Sequence, residues 1–282
     1  MKVTIIGLGL IGGSMAIDIR KAGWATELIG VDIHSKHIKE AQDLKLIDRT
    51  LPENQALSVA DLVILAIPVN TLGALLPSIL DGVRDSAVVI DAGSTKGHIC
   101  RVVANHPRRS QFVAAHPLAG TENSGPTAAF AGLFSGKTNI ICERERSSEH
   151  AITVAEKLFG ALGMNTIYME PDEHDRHVAY VSHLSHVSAF LLGHTVLDIE
   201  KDEKKIFSLA GSGFASTVRL AKSSPDMWAP IFEQNMEYLS QALQEYIIHL
   251  QKFQYHLMKK DTREIYKIMK NANEIRRVLD KQ

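Results

Sequence analysis

Residues 1–12 set the tightest limit on what this chain can fold into. They read MKVTIIGLGLIG, an apolar run followed at once by Gly7-Leu-Gly9-Leu10-Ile11-Gly12. A GxGxxG string alone is weak. Here a predicted strand over residues 3–6 precedes it and a predicted helix over 12–22 follows, the context in which each glycine has a physical task. Gly7 permits the tight turn, Gly9 lets backbone approach a pyrophosphate, and Gly12 lets helix and strand pack closely. The first helical turn, with Leu10 and Ile11, offers unpaired amides and the positive end of a dipole to phosphate. Asp32 closes the next predicted strand, twenty residues beyond Gly12. Its carboxylate can accept hydrogen bonds from ribose hydroxyls and repels a 2′-phosphate, so NAD is expected over NADP. No arginine follows it at once; His34 and Lys36 are the nearby features that would favour NADP. A glycine turn without a cofactor is the alternative, and strand, spacing and acid together argue against it.

The rest of the N-terminal half continues the pattern. Apolar runs at 28–31, 62–66, 88–90, 112–115 and 138–142 read as strands, with helical stretches at 36–44, 69–80, 96–105 and 149–162 between them. Each run is apolar nearly throughout, as where helices cover both faces of a parallel sheet. The alternation predicts a doubly wound α/β, Rossmann-type domain over residues 1–169, with 166–169 as a last edge strand. Pro68, in Ala66-Ile-Pro68 at a strand end, shapes a wall of the cofactor crevice or serves only as a structural turn.

After Pro171 the character changes. Residues 172–197, 226–257 and 261–279 read as long helices, with a glycine-rich turn at 210–214, and an all-α domain over 170–282 is expected. Helices this long bury an apolar stripe against partners, so homodimerisation through this half is expected as well. The net charge of −1 advertises neither a nucleic-acid nor a membrane partner. Two cysteines, Cys100 and Cys142, lie far apart and read as reduced thiols of a cytoplasmic protein. No apolar run is long enough to span a bilayer.

Two loops at predicted strand ends carry chemistry suited to a dehydrogenase. Asp91-Ala-Gly93-Ser94-Thr95-Lys96 follows one strand, and His116-Pro-Leu-Ala-Gly120-Thr121-Glu122 follows the next. His116 can take an alcohol proton as its carbon loses hydride; a capping or packing histidine in a Pro/Gly loop is the alternative. Ser94 can hold the same hydroxyl. His183 and His186 share a helix face, and His174 and His177 lie nearby. A zinc site is considered and set aside, because no acidic or Cys ligand is spaced with them and hydride transfer to NAD needs no metal. Arg219, beyond Gly213-Phe214, can grip a carboxylate bidentately, or be a surface arginine.

Together these strings resemble the prephenate and arogenate dehydrogenases of tyrosine biosynthesis. GLGLIGGS at 7–14, GSTKG at 93–97, HPLAGTENSG at 116–125, SHLSH at 182–186 and GFASTVRLAKSSPDMW at 213–228 occur in that family's order and at similar spacing. The resemblance implies oxidative decarboxylation of prephenate to 4-hydroxyphenylpyruvate with NAD reduced to NADH. It implies His116 as the hydroxyl-binding general base, Ser94 on the same hydroxyl, Arg219 as carboxylate anchor and His186 as a second substrate contact. Thr121 and Glu122 would line the pocket, with Glu122 gating access. One departure stands out. Many relatives carry an acid three positions before the anchoring arginine, and here that position is Ser216, so an ion pair holding Arg219 is absent or supplied from elsewhere. The C-terminal part leaves no room for a regulatory module beside the helical domain, so a monofunctional enzyme is expected, with any tyrosine inhibition at the active site. Arogenate, with an amino group in place of the side-chain keto group, is the rival substrate. A β-hydroxyacid dehydrogenase or pyrroline-carboxylate reductase is a broader rival, though the lysine context usual in the former is not found. A non-catalytic NAD-binding sensor would need neither His116 nor Arg219.

Overall fold

The computed structural model describes residues 1–201 and 206–279. In chain order, β1 (Lys2–Ile6) leads into α1 (Leu10–Lys21), β2 (Glu27–Val31) into α2 (Ser35–Asp43), β3 (Arg49–Thr50) into α3 (Glu53–Val59), β4 (Leu62–Leu65) into α4 (Val69–Gly82), and β5 (Val88–Asp91) into α5 (Gly97–Val102). β6 (Phe112–Pro117), β7 (Thr138–Cys142), α6 (Glu149–Ala161) and β8 (Asn165–Met169) follow. They form one sheet in the order β3-β2-β1-β4-β5-β6-β7-β8.

The strands are apolar on both faces because both are covered. Val3, Ile5, Leu28, Ile64 and Ile90 pack with Met15 and Ile19 of α1 and Leu158 and Phe159 of α6. Their neighbours in sequence, Ile6, Val63, Leu65 and Val89, pack with Leu57, Leu72, Leu76, Ile79 and Ile99 from α3, α4 and α5. This is the two-residue alternation of a pleated sheet, sealed on each side by helices. The register pairs Ile6 with Val31 and Leu65, and Leu65 with Asp91. Carboxyl ends of successive strands therefore open onto one edge, where ligands bind in such sheets.

Two parts of this domain differ from expectation. β7 runs antiparallel to β6, with His116 opposite Ile140. Only a short 3₁₀ turn, Pro126–Ala128, lies between them, and a parallel return needs a longer crossover. α6 then carries the chain across, so β8 pairs with β7 in parallel. β3 and α3 are also additional; two strand residues leave no periodic trace.

The helices beyond the sheet are more broken than their hydrophobic pattern suggests. α7 (Pro171–Val178) passes through a π-helical turn, Ala179–His183, into α8 (Leu184–Glu200). The glycine-rich stretch at 210–214 lies largely within α9 (Ser212–Thr217), and Arg219 stands on the 3₁₀ turn that follows, Arg219–Lys222. The predicted helix 226–257 is divided at Asn235 into α10 (Pro225–Gln234) and α11 (Met236–Met258). α12 (Thr262–Ala272), a 3₁₀ turn (Asn273–Ile275) and α13 (Arg276–Leu279) end the described chain.

The chain separates into two compact units, Met1–Met236 and Glu237–Gln282. Within the first, Trp228 and Ile231 of α10 pack on Val69 at the start of α4, and Thr95 Oγ1 donates to Gln234 Oε1 at 2.7 Å. α10 is thereby fastened to the edge where the strands end. The second unit carries many exposed large apolar side chains, among them Ile248, Leu250, Tyr255, Met258, Tyr266 and Met269. Among the described residues no helix is long and apolar enough to cross a membrane.

Candidate active site

The glycine motif sits in the β1–α1 turn. Gly7 has φ +95°, a conformation side chains rarely adopt, and a Cβ there would overlap the Ala66 carbonyl and come within 2.9 Å of Ile67 Cγ2. Gly12 would overlap the Gly7 carbonyl oxygen, so β1 and α1 can approach only with glycine there. Gly9 is different: a Cβ would meet nothing within 4 Å. Chain packing does not require a glycine at that position, and the open space is what a bound pyrophosphate needs. Gly9 caps α1, and Gly13 N donating to Gly9 O at 2.8 Å is the first helical bond. The amides of Leu10, Ile11 and Gly12 therefore have no intrahelical partner. Asp32, at the end of β2, accepts from Leu8 N at 2.8 Å and His34 N at 2.9 Å. Those bonds aim its carboxylate beside the glycine turn, with lone pairs left for ribose hydroxyls. Pro68 is the exposed cap residue of α4 at the end of β4. These residues suit a dinucleotide.

β5 and β6 end beside this cradle. Asp91 is fully buried and accepts from Gly93 N and Ala115 N, both at 2.9 Å. It is ion-paired with Lys96, which is also fully buried and donates to Ala115 O at 2.6 Å. The pair ties the Ser94 loop to the strand that delivers His116. Burial raises the Asp91 carboxyl, opposed by Lys96 and the two amides. Ser94 is half-buried, and its hydroxyl has no partner among the described residues.

His116, 9% exposed at the end of β6, is the centre of a buried polar line. Its Nδ1 lies 2.8 Å from His174 Nε2, and His174 Nδ1 lies 2.7 Å from Asp175 Oδ1. Asp175 also accepts from Lys96 N and Gly97 N, each at 2.8 Å. Desolvation holds the His116 pKa well below the ordinary value, with His174, Lys96 and His183 adding to the effect. Burial would raise the Asp175 carboxyl, but His174 and the two amides outweigh it and its pKa is lowered. His116 is thus a neutral imidazole at neutral pH, the form a general base requires.

The other wall comes from the helices. His183 leaves the π turn buried, with Nδ1 3.0 Å from Asn235 Nδ2, and the same Asn235 amide donates to Asp175 O at 2.7 Å. Asn235 stands at the break between α10 and α11, and its side chain makes both of these bonds. Burial pushes His183 down to about 4. His186 stacks on Trp228, ring centroids 3.5 Å apart, and donates from Nδ1 to Ser182 O at 3.0 Å. His183 also meets Trp228 edge-on, so the two histidines do share a face. Burial lowers the His186 pKa, and the Arg219 charge lowers it further. Arg219 is ion-paired with Glu122 at 2.9 Å. Its own backbone amide and Arg219 hold the Glu122 carboxyl below its ordinary value. The partner missing at Ser216 is thus replaced by an acid from the loop after β6. Thr121 Oγ1 accepts from Asn123 N at 3.2 Å and shapes that loop.

The sequence reading misses Lys96, Asn235 and Trp228 as functional parts, and treats His174 only as a candidate metal ligand; His183 is noticed beside His186, but not its bond to Asn235. The adjacent His174-Asp175 pair was the one available signal; the others act through contacts distant in sequence. Among the described residues no group of three or more His, Cys, Asp or Glu could hold a metal ion. Cys100 and Cys142 are buried and unpaired, with burial pushing the Cys142 thiol up to about 12.

Two family models match the chain in succession: the nucleotide-binding domain of prephenate dehydrogenase over residues 15–168 and its dimerization domain over 170–271. Prephenate dehydrogenase of Bacillus subtilis is 31% identical over 98% of this chain and 76% of its own. The crystal structure of Aquifex aeolicus prephenate dehydrogenase with hydroxyphenyl propionate and NAD+ has a TM-score of 0.90 at 29% identity, covering 99% of this chain and 98% of the other. Arogenate dehydrogenase of Synechocystis has a TM-score of 0.78 at 26% identity, covering 99% of this chain and all (100%) of that one. With both domains matched in order on a Rossmann-type sheet, this chain belongs to the prephenate dehydrogenase family.

Proposed function

We propose that this protein is an NAD-dependent prephenate dehydrogenase, converting prephenate to 4-hydroxyphenylpyruvate and CO₂. The observation that carries the reading is a buried, neutral His116 at the end of β6, on the same sheet edge as the glycine cradle and Asp32. When bound, NAD accepts the hydride from the hydroxyl-bearing ring carbon.

His116 takes the hydroxyl proton as that hydride leaves, giving a ring ketone. The bond to the ring carboxylate then breaks; its electron pair aromatises the ring, CO₂ departs, and the ring oxygen recovers the proton from His116. The proton is lent and returned, so the base has to be neutral at the start and tolerate a charge briefly. Ser94, on the neighbouring strand end, orients the hydroxyl. Arg219 anchors a substrate carboxylate, leaving Glu122 to do so, while His186, held flat on Trp228, forms a further contact and Thr121 lines the entry. Gly7, Gly9, Leu10, Ile11, Gly12, Asp32 and Pro68 hold the cofactor.

Residues 170–282 are read as the substrate-binding and dimerisation half, after 1–169 as the NAD-binding half. The exposed apolar side chains of α11 and α12 support a homodimer, which light scattering of the purified protein tests. Neither nucleic acid nor membrane is a partner in this reading, and the enzyme works in the cytoplasm with its two thiols reduced.

Arogenate is the second reading. It carries an ammonium where prephenate has a keto oxygen, and the Glu122 carboxylate beside Arg219 could receive it. NADH formation with prephenate and with arogenate, each with NAD and NADP, decides. Activity with prephenate and NAD is expected. Activity on arogenate alone keeps the mechanism and moves the substrate; no turnover of either overturns the reading.

A further inference from the structure

Within the dehydrogenase reading, on which this rests, we propose that His174 and Asp175 are positioning residues that fix the tautomer of His116 and stabilise the charge it acquires. Each proton along the buried line is fixed by the group beside it. The Asp175 carboxylate carries no proton, so the nitrogen 2.7 Å from its Oδ1, His174 Nδ1, must be the donor. A neutral His174 then has a bare Nε2, which can only accept. The group 2.8 Å away, His116 Nδ1, must therefore carry its proton. His116 is left with one unused lone pair, on Nε2, and that is the atom that takes the substrate proton.

The line is anchored at its far end. Asp175 cannot turn away, because its two oxygens also accept from the amides of Lys96 and Gly97. His174 is fully buried and cannot exchange its partner for solvent. The titratable groups around the two rings are Asp91 at the end of β5, Lys96 from the loop after it, Asp175 from α7, and His183 from the π turn. Lys96 opposes charge on His116, and Asp175, reached through His174, offsets it. Desolvation lowers the His174 pKa despite Asp175, which keeps this ring neutral in the resting enzyme. When His116 becomes an imidazolium, its Nδ1–H···Nε2 bond to His174 strengthens as a charge-assisted bond.

The test uses His174→Phe, which keeps a ring in the cavity and removes the acceptor, and His174→Gln, whose amide oxygen can still accept from His116. His174→Phe is expected to lower kcat by about 10²–10⁴-fold, the range for losing a general base or its correct tautomer. KM for substrate should stay within about twofold, and the residual rate should keep rising with hydroxide, not level off as in the unmodified enzyme. His174→Gln should recover part of the loss. Adding His174→Phe to His116→Asn should cost nothing further, since the relay acts only through His116. A wild-type kcat in His174→Phe, an additive loss in the double variant, or an unchanged pH profile would each overturn the proposal. Imidazole ¹⁵N chemical shifts of the unmodified protein test it independently of turnover: Nδ1–H tautomers are expected at both rings, and an Nε2–H tautomer at His116 refutes it. Turnover of prephenate by the unmodified enzyme reports separately on the dehydrogenase reading.

Discussion

Gly7 and Gly9 are two residues apart, yet they should fail in opposite ways when changed to alanine. At Gly7 the backbone is left-handed and the added methyl would sit 2.7 Å from the Ala66 carbonyl carbon and 2.9 Å from Ile67 Cγ2. The conformation costs about 1–2 kcal/mol, and forcing β4 aside about 1–3 more. Gly7→Ala should therefore lose about 2–5 kcal/mol of stability before any cofactor is added. At Gly9 φ is −71° and the methyl meets nothing. The apo protein should melt where the unmodified one does, or slightly higher, because alanine restricts the unfolded chain. What changes is the approach of phosphate. Losing one charge-assisted amide–phosphate bond, about 1.5–3 kcal/mol, weakens NAD roughly ten- to a hundredfold. Thermal melts without NAD and calorimetric titration with NAD separate the two effects. An unchanged NAD affinity in Gly9→Ala would refute the placement of the pyrophosphate at this turn.

The remaining predictions concern the chemistry and the buried charges. His116→Asn should lower kcat by about 10² or more; because its pKa is held well below the ordinary histidine value, the unmodified enzyme's kcat should stay flat through about pH 6.5 and fall only at more acidic pH. Arg219→Ala should raise substrate KM more than roughly tenfold, as expected on losing a charged carboxylate contact, whereas Glu122→Gln should leave thermal stability unchanged because the ion pair is exposed. Lys96→Met leaves Asp91 buried without its cation and should cost about 3–5 kcal/mol. Burial already raises the Asp91 pKa, and removing Lys96 raises it further, so the folded variant holds a proton that the unfolded chain releases. Its stability should therefore fall as pH rises from about 3.9 and level off above the folded pKa, making the loss larger at neutral than at acidic pH. Adding Asp91→Asn should recover part of it, and a loss independent of both pH and Asp91 would refute the ion-pair account.

The parts of this protein legible in its sequence are those written in neighbouring residues. Strand, glycine turn and helix stand within residues 2–21, and the acid on β2 follows at a fixed interval. β7 turned the other way because its direction depends on the absence of a crossover helix, not on its own apolar pattern. The π turn ending at His183 and the helix break at Asn235 are equally silent in hydrophobic periodicity. The side chains at these two places bond across 52 and 60 positions of sequence, Asn235 to His183 and to the Asp175 carbonyl. Ser216 shows the same limit from the other side. The missing acid could be noticed in the sequence, but its replacement, Glu122, lies 97 positions from Arg219 and is found only when the loop after β6 is seen beside the 3₁₀ turn.

The buried cation explains why so much of the site's polar structure is non-local. Lys96 is needed where it is to neutralise Asp91 and fasten two strand ends, but its charge also depresses the base beside it. A base depressed without limit would stay neutral and yet be too weak to take a proton from an alcohol. A second carboxylate within reach of the base is therefore useful. Asp175 supplies it by acting through one neutral ring. The amides of Lys96 and Gly97 that orient this carboxylate belong to the same loop that carries the depressing cation.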